Sequence, residues 1–279
     1  MPLPPIVYLH FDFISSTIFC MIIDAHVHIY PEAIAEKAAQ AIGEFYDIKM
    51  QGGGSLSTLL SEYGQTVNRF LVHSVATTPA QVGAVTSFIA SCVRQHPDKL
   101  IGFSTLHPDS HDLGEQINNM LANNIKGVKM HPDFQRFHLD GKRAMAIWEA
   151  LEGRLPVLLH VGDYRTEYSK PARLLNVIKR FPKLKIIAAH FGGWSEWENA
   201  VKILAGQDIY VDTSSTQFMC GPEKVRRFID DYGPERVLFG SDWPMWSPVE
   251  ELKKLEKVFR SDKEREMVLH GNIEKLLMV

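Results

Sequence analysis

The chain has 279 residues, 45% of them hydrophobic, with a formal net charge of -3. That length suits one large domain with a sizeable buried core. The near-balanced charge excludes the strongly basic or acidic surface of a protein built to bind nucleic acid or a membrane face. No apolar run is long enough to span a bilayer. Cys20, Cys92 and Cys220 are widely spaced with no CxxC pair, which reads as reduced thiols of a cytoplasmic protein rather than a disulfide framework.

Residues 1–20 lack the basic start and small-residue cleavage pattern of a secretory signal. They read as an N-terminal extension, either upstream of a natural start at Met21 or forming an apolar arm that pairs with an edge or a neighbouring subunit. From Met21 onward, short β-rich runs alternate with helical patterns. In chain order the runs are CMIIDAHVH, RFLVHSVAT, LIGFSTLHP, IKGVKMHP, LPVLLHVG, LKIIAAHFG, DIYVDTSS and RVLFGSDWP, each closed by Gly, Pro or a polar cluster. The intervening helices are expected at Glu32 to Phe45, Ala80 to Gln95, His111 to Asn123 and Lys142 to Gly153. They continue at Lys170 to Arg180, Ser195 to Ala205, Gly221 to Tyr232 and from Pro248 onward. Eight such units require parallel strands with crossovers, and over this length they close as a (β/α)8 TIM barrel formed by residues 21–279. A doubly wound open sheet is the competitor, but the first strand ends in HVHIYPE instead of a glycine-rich turn. The stretch from Tyr46 to Thr66, with Gly52, Gly53 and Gly54, reads as a loop leading into a short extra helix over the barrel mouth, either a lid or a plain surface loop.

The polar residues cluster at the strand tips. His26 and His28 end strand one, Lys129 and His131 strand four, His160 strand five, His190 strand six and Asp242 strand eight. These are carboxyl ends, the face on which barrels build active sites. A pair of histidines two apart on one face is either a metal site or two satisfied hydrogen-bonding residues. With His160 and Asp242 at equivalent heights, the set supplies three imidazole nitrogens and a carboxylate, which suits zinc or another transition divalent ion. By alternation Asp24 faces inward one layer below His26, beside a ligand or satisfied by backbone. His73, inside strand two, reads as an ordinary hydrogen-bonding residue. Arg136, Tyr164 and Arg165 lie on loops where an arginine would grip a carboxylate or stay solvated. Trp194, Trp243 and Trp246 would line an apolar pocket or pack loop against barrel.

The series DAHVH, GVKMHP, LLHVG, AAHFGG and LFGSDWP, in this order, resembles the amidohydrolase superfamily. More narrowly it is similar to the amidohydrolase-2 branch, the aminocarboxymuconate-semialdehyde decarboxylase-like metal-dependent hydrolases, over nearly all the chain after Met21. The resemblance implies a distorted (β/α)8 barrel with His26, His28, His160 and Asp242 as metal ligands. It makes His190 the histidine that contacts water or substrate. In some members the strand-four lysine is carboxylated and bridges two metals, so Lys129 would either do that with a second ion or stay an ammonium that attracts an anionic substrate. His131, Arg165 and Trp243 are further candidates for substrate contact.

The chemistry expected of that set is hydrolysis of an amide, ester or lactone in a small, in one variant anionic, molecule. Asp242 would accept a water proton and His190 would orient the water or polarise the carbonyl. The alternative is non-oxidative decarboxylation of an aromatic or unsaturated acid at the same residues. A third reading, a binding barrel without activity, predicts a vacated ligand position, and none is vacated. The expected partner is a small-molecule substrate, not nucleic acid or membrane, with a homodimer as the candidate assembly.

Overall fold

The computed structural model describes residues 21–279, so the expectations for residues 1–20 and Cys20 lie outside the described residues. Eight parallel strands follow one another around a single sheet in the order of the chain: β1 Ile23–His28, β2 Arg69–His73, β3 Leu100–Thr105, β4 Gly127–Met130, β5 Val157–Leu159, β6 Ile186–Ala188, β7 Tyr210–Asp212 and β8 Val237–Leu238. The ring closes where the segment after β8 runs beside β1. Phe239 O accepts from Ala25 N at 2.8 Å, Asp242 N donates to His26 O at 2.9 Å, and Trp243 O accepts from His28 N at 2.7 Å. The protein is therefore a (β/α)8 barrel. The main crossover helices are Ala35–Tyr46, Val82–Gln95, Leu113–Ala122, Lys142–Leu151, Pro171–Arg180, Trp197–Leu204, Pro222–Tyr232 and Pro248–Leu255. Each falls within a residue or two of its expected span, except that Glu32–Ile34 forms a 3-10 turn ahead of the first helix. The short helices Pro132–Gln135 and Thr216–Cys220 were not expected; both sit in the loops above the barrel mouth.

Two apolar layers form on opposite faces of the strands. Ile23, Ala25, Leu71, Phe103, Leu158 and Leu238 fill the barrel interior, with Ile273 and Leu277 of the terminal helix Asn272–Leu277 packed against them. Val27, Phe70, Val72, Val128, Val157 and Ile186 belong to the larger layer between strands and helices. The interior closes tightly because Phe103 lies opposite Gly127 in the β3–β4 register, where a Cβ would meet the Phe103 ring at 2.3 Å.

One register feature moves residues from their expected faces. Asp24 pairs with Phe70 but Val27 pairs with Val72, so β1 carries one extra residue between them, a β-bulge. Ile23 and Ala25 therefore take the interior while His26 and His28 still point into the mouth. Asp24 does not lie below His26 on the same face, as simple alternation requires. Its Oδ1 instead accepts from the backbone N–H of His26 at 3.1 Å and of Ser241 at 3.0 Å, tying the bulge to the end of β8.

The segment after the first helix is held down rather than loose. Asp47 closes that helix in the left-handed conformation. Gln51 N and Gly52 N both donate to Pro244 O at 3.0 Å. The following helix, Leu56–Tyr63, is capped by the Ser55 side chain, which accepts from Thr58 N.

Candidate metal centre

The closing seam brings the β1 and β8 tips together. His26 Nε2 lies 3.4 Å and His28 Nε2 3.2 Å from Asp242 Oδ1. Ligand atoms of His26, His190 and Asp242 also lie within 4.8 Å of one another, all on buried residues. Two donors at about 2.0–2.1 Å from one tetrahedral cation stand roughly 3.3 Å apart, so the observed nitrogen-to-oxygen separations fit a divalent metal. The donor set fits as well, since imidazole and carboxylate suit zinc and its neighbours. His190 and Asp242 have φ values of 59 and 68, a left-handed conformation that is costly for residues with a Cβ and recurs at functional sites.

A buried network orients the imidazoles. Asp212, at the tip of β7, holds His26 Nδ1 with Oδ2 at 2.9 Å. Its Oδ1 accepts from the backbone N–H of His190 at 3.0 Å and of Ser214 at 3.1 Å, and from the Ser214 hydroxyl. Because that hydroxyl donates to Asp212, its lone pairs are left for His26 Nδ1 at 3.0 Å and His190 Nδ1 at 2.8 Å. His190 Nδ1 also faces the Ser214 carbonyl at 3.1 Å. These partners place a proton on Nδ1 of both rings, so each Nε2 is an acceptor, facing Lys129 Nζ at 3.0 Å in His26 and His160 Nδ1 at 3.1 Å in His190. Ser215 donates to Asp242 Oδ2 at 2.6 Å, leaving Oδ1 toward the imidazoles. Asp212, Ser214 and Ser215 lie in the DIYVDTSS run. None was singled out from sequence, although Asp212 ends its strand on the same rim as the histidines.

The charges follow from burial and neighbours. Burial pushes the Asp242 and Asp212 carboxyls up, but the facing imidazoles outweigh it and hold both well below the usual carboxylate range. Burial lowers His26 to about 4, with the Lys129 charge acting in the same direction. His28 and His190 are likewise lowered by burial. The centre is thus a set of neutral imidazoles around an ionised carboxylate. Lys129 is fully buried, its Nζ is 3.0 Å from His26 Nε2, and burial brings it down to about 8.

The remaining expected residues take different places. His160 stands one ring farther from Asp242, with its Nδ1 3.1 Å from His190 Nε2 and its Nε2 3.9 Å from Asp133 Oδ2. His131 is stacked between Phe134 and His160 and meets the Tyr46 hydroxyl at 3.0 Å through Nε2. Arg165 has no free fork: both arms are on Asp163, at 2.9 and 2.6 Å, and Nη1 donates to Phe45 O at 2.7 Å. It pins the end of the first helix instead of facing the mouth. Trp243 is fully buried in the layer under Gly52 and does not line the central cavity, whereas Trp194 does. Trp246 stacks on Phe218, Tyr164 is exposed, and Arg136 caps the Pro132–Gln135 helix at the surface. His73 differs most from its expected role, because neither ring nitrogen has a hydrogen-bond partner among the described residues.

Above the imidazoles lies a cavity of about 20 Å³, room for little more than a water molecule. Ile42, Tyr46, Met50, Phe134, Trp194 and Met245 form its apolar walls. Lys129 is the one cationic side chain in its lining among the described residues.

The barrel and its rim of imidazoles and carboxylate define a metal-dependent enzyme of the hydrolase-type barrels. Residues 23–279 match the family model described as Amidohydrolase, and the chain belongs to that family. No curated protein matches it. Among solved structures, an uncharacterised TIM-barrel protein from Bordetella bronchiseptica is similar at 18% identity, covering 92% of this chain and 98% of that one, with a TM-score of 0.76. The 5-carboxyvanillate decarboxylase of Sphingomonas paucimobilis is similar at 14% identity, covering 93% and 99%, with a TM-score of 0.70. A probable 2-pyrone-4,6-dicarboxylic acid hydrolase of Acinetobacter baumannii is similar at 15% identity, covering 92% and 99%, with a TM-score of 0.68.

Proposed function

We propose that the protein is a metal-dependent hydrolase acting on an amide, ester or lactone bond of a small molecule, with zinc as the metal. The observation that carries the reading is the convergence of His26 and His28 on Asp242, at 3.4 and 3.2 Å, in the lining of a small cavity. In this reading His26, His28 and Asp242 hold the cation, and His160 or His190 supplies a further nitrogen. Such a cation supplies Lewis acidity and brings the pKa of water in its coordination sphere toward neutrality.

The chain's own groups supply the rest. Asp242 is ionised and its Oδ2 is fixed by Ser215, so it receives a proton from the attacking water and returns it to the leaving group. His190, held at Nδ1 by Ser214, keeps a lone pair at Nε2 to orient the water or, once protonated, to polarise a carbonyl. Lys129 attracts one anionic group of the substrate to the rim. The apolar walls leave room for little more than the attacking water, so substrate entry would need movement of the first helix and its following loop, which carry Ile42, Tyr46 and Met50. Free Cys92 and Cys220 support a reducing, cytoplasmic setting.

One observation favours decarboxylation as a second reading. Aromatic and thioether walls with a single cation suit a planar unsaturated monoacid, which His190 or Asp242, after first taking a proton from solvent, would protonate at carbon as CO2 leaves. Elemental analysis of the purified protein, with turnover of lactones, amides and aromatic acids before and after chelation, tests both. Chelator-sensitive hydrolysis supports the first reading, and CO2 release without water uptake supports the second. A zinc- or manganese-loaded protein without turnover on either panel would overturn both.

A further inference from the structure

His73 ends β2 directly beside His28, its Cα partner in the β1–β2 register. Phe70 and Val72 face the helices and Leu71 the barrel interior, so alternation turns His73 inward, one layer above Leu71. There it is fully buried. Its ring lies 4.3 Å from that of His28 and 5.0 Å from that of His26, edge-on to both. Neither nitrogen has a hydrogen-bond partner among the described residues, and ligand atoms of His26, His28 and His73 all lie within 4.8 Å of one another. A buried imidazole is almost always satisfied, so one with two idle nitrogens beside two others requires an explanation.

We propose that His73 is a third imidazole ligand of the cation held by His26 and His28. The inference rests on the metal reading above and adds to it a ligand from the second strand. It gives an otherwise unpartnered nitrogen of His73 a role beside His26 and His28.

The test uses the full chain stripped with a chelator and titrated with zinc alone. Wild type is compared with His73→Leu, which fills the site without a donor, and His73→Gln, which keeps a polar head. Zinc affinity is read by competition with a chromophoric chelator, and the visible spectrum is read after cobalt substitution. We expect one equivalent of zinc in wild type and affinity at least about tenfold weaker in both variants. The cobalt bands should shift, and the metal-free melting temperature of His73→Leu should be unchanged or higher, because an unsatisfied buried polar group has gone. Unchanged zinc affinity in either folded variant, with wild-type cobalt bands, would overturn the assignment while leaving the metal centre standing. A wild type that takes up no zinc would overturn both.

Discussion

Replacing Asp212 with asparagine should detach the centre from its cation without touching a proposed ligand. The carboxylate uses its two oxygens differently. Oδ1 accepts from two backbone N–H groups, of His190 and Ser214, while Oδ2 serves only His26 Nδ1, at 2.9 Å. An amide has one oxygen, and the two backbone donors claim it for the Oδ1 position. The NH2 group then faces His26 Nδ1 and is compatible only with an unprotonated nitrogen there. The proton moves to His26 Nε2, the atom 3.4 Å from Asp242 and 3.0 Å from Lys129, and its lone pair is lost to a metal. Loss of an orienting partner of a ligand histidine typically weakens metal binding by roughly 10- to 100-fold, or about 1.4–2.7 kcal/mol. Chelator competition on metal-free Asp212→Asn and wild type reads this directly, with circular dichroism checking the fold. Affinity within twofold of wild type would refute the assigned tautomer and the role given to Asp212.

Lys129→Met removes a group that competes with a cation for His26 Nε2, so metal affinity should hold or rise while KM for anionic substrates increases; loss of metal would instead indicate a carboxylated, bridging lysine. Glu251 is buried, with Lys254 at 2.9 Å on Oε1 and no hydrogen-bond partner on Oε2 among the described residues; burial pushes its carboxyl from 4.5 up to about 7. The folded state thus binds that proton more tightly than the unfolded chain, so the contribution is full below about pH 4.5 and is lost as pH rises to about 7. Glu251→Gln should flatten the melting temperature across that window and raise it at pH 8, and a variant less stable than wild type at pH 8 would contradict this. Gly127→Ala should lower stability by roughly 1–3 kcal/mol in urea unfolding, because its Cβ would sit 2.3 Å from the Phe103 ring.

The alternation of β-rich and helical runs made the barrel legible, and the tips of strands one and eight named three residues that converge. What sequence hid depended on register and on contacts between distant strands. The bulge in β1 breaks the two-residue period at Ala25 and His26, so Asp24 leaves the face that simple counting gives it. Trp243 follows a promising strand tip, yet it belongs to the layer beneath Gly52. Arg165 is spent on Asp163, two residues earlier, a pairing that loop geometry decides. Asp212 could have been found, since it ends a strand on the rim where the other polar residues gather. His73 also lay within reach, since Phe70 and Val72 mark one face of its strand and leave Leu71 and His73 on the other. The left-handed turns at His190 and Asp242 have no signature in residue type.

The hydrogen bonds from Asp242 N to His26 O and from His28 N to Trp243 O join the first strand to the last through the very residues that would grip the ion. Whatever occupies that position acts as a clasp on the ring. Filling it should slow amide exchange at both ends of the fold together, so that a small molecule bound at the rim is registered by parts of the polypeptide more than two hundred residues apart.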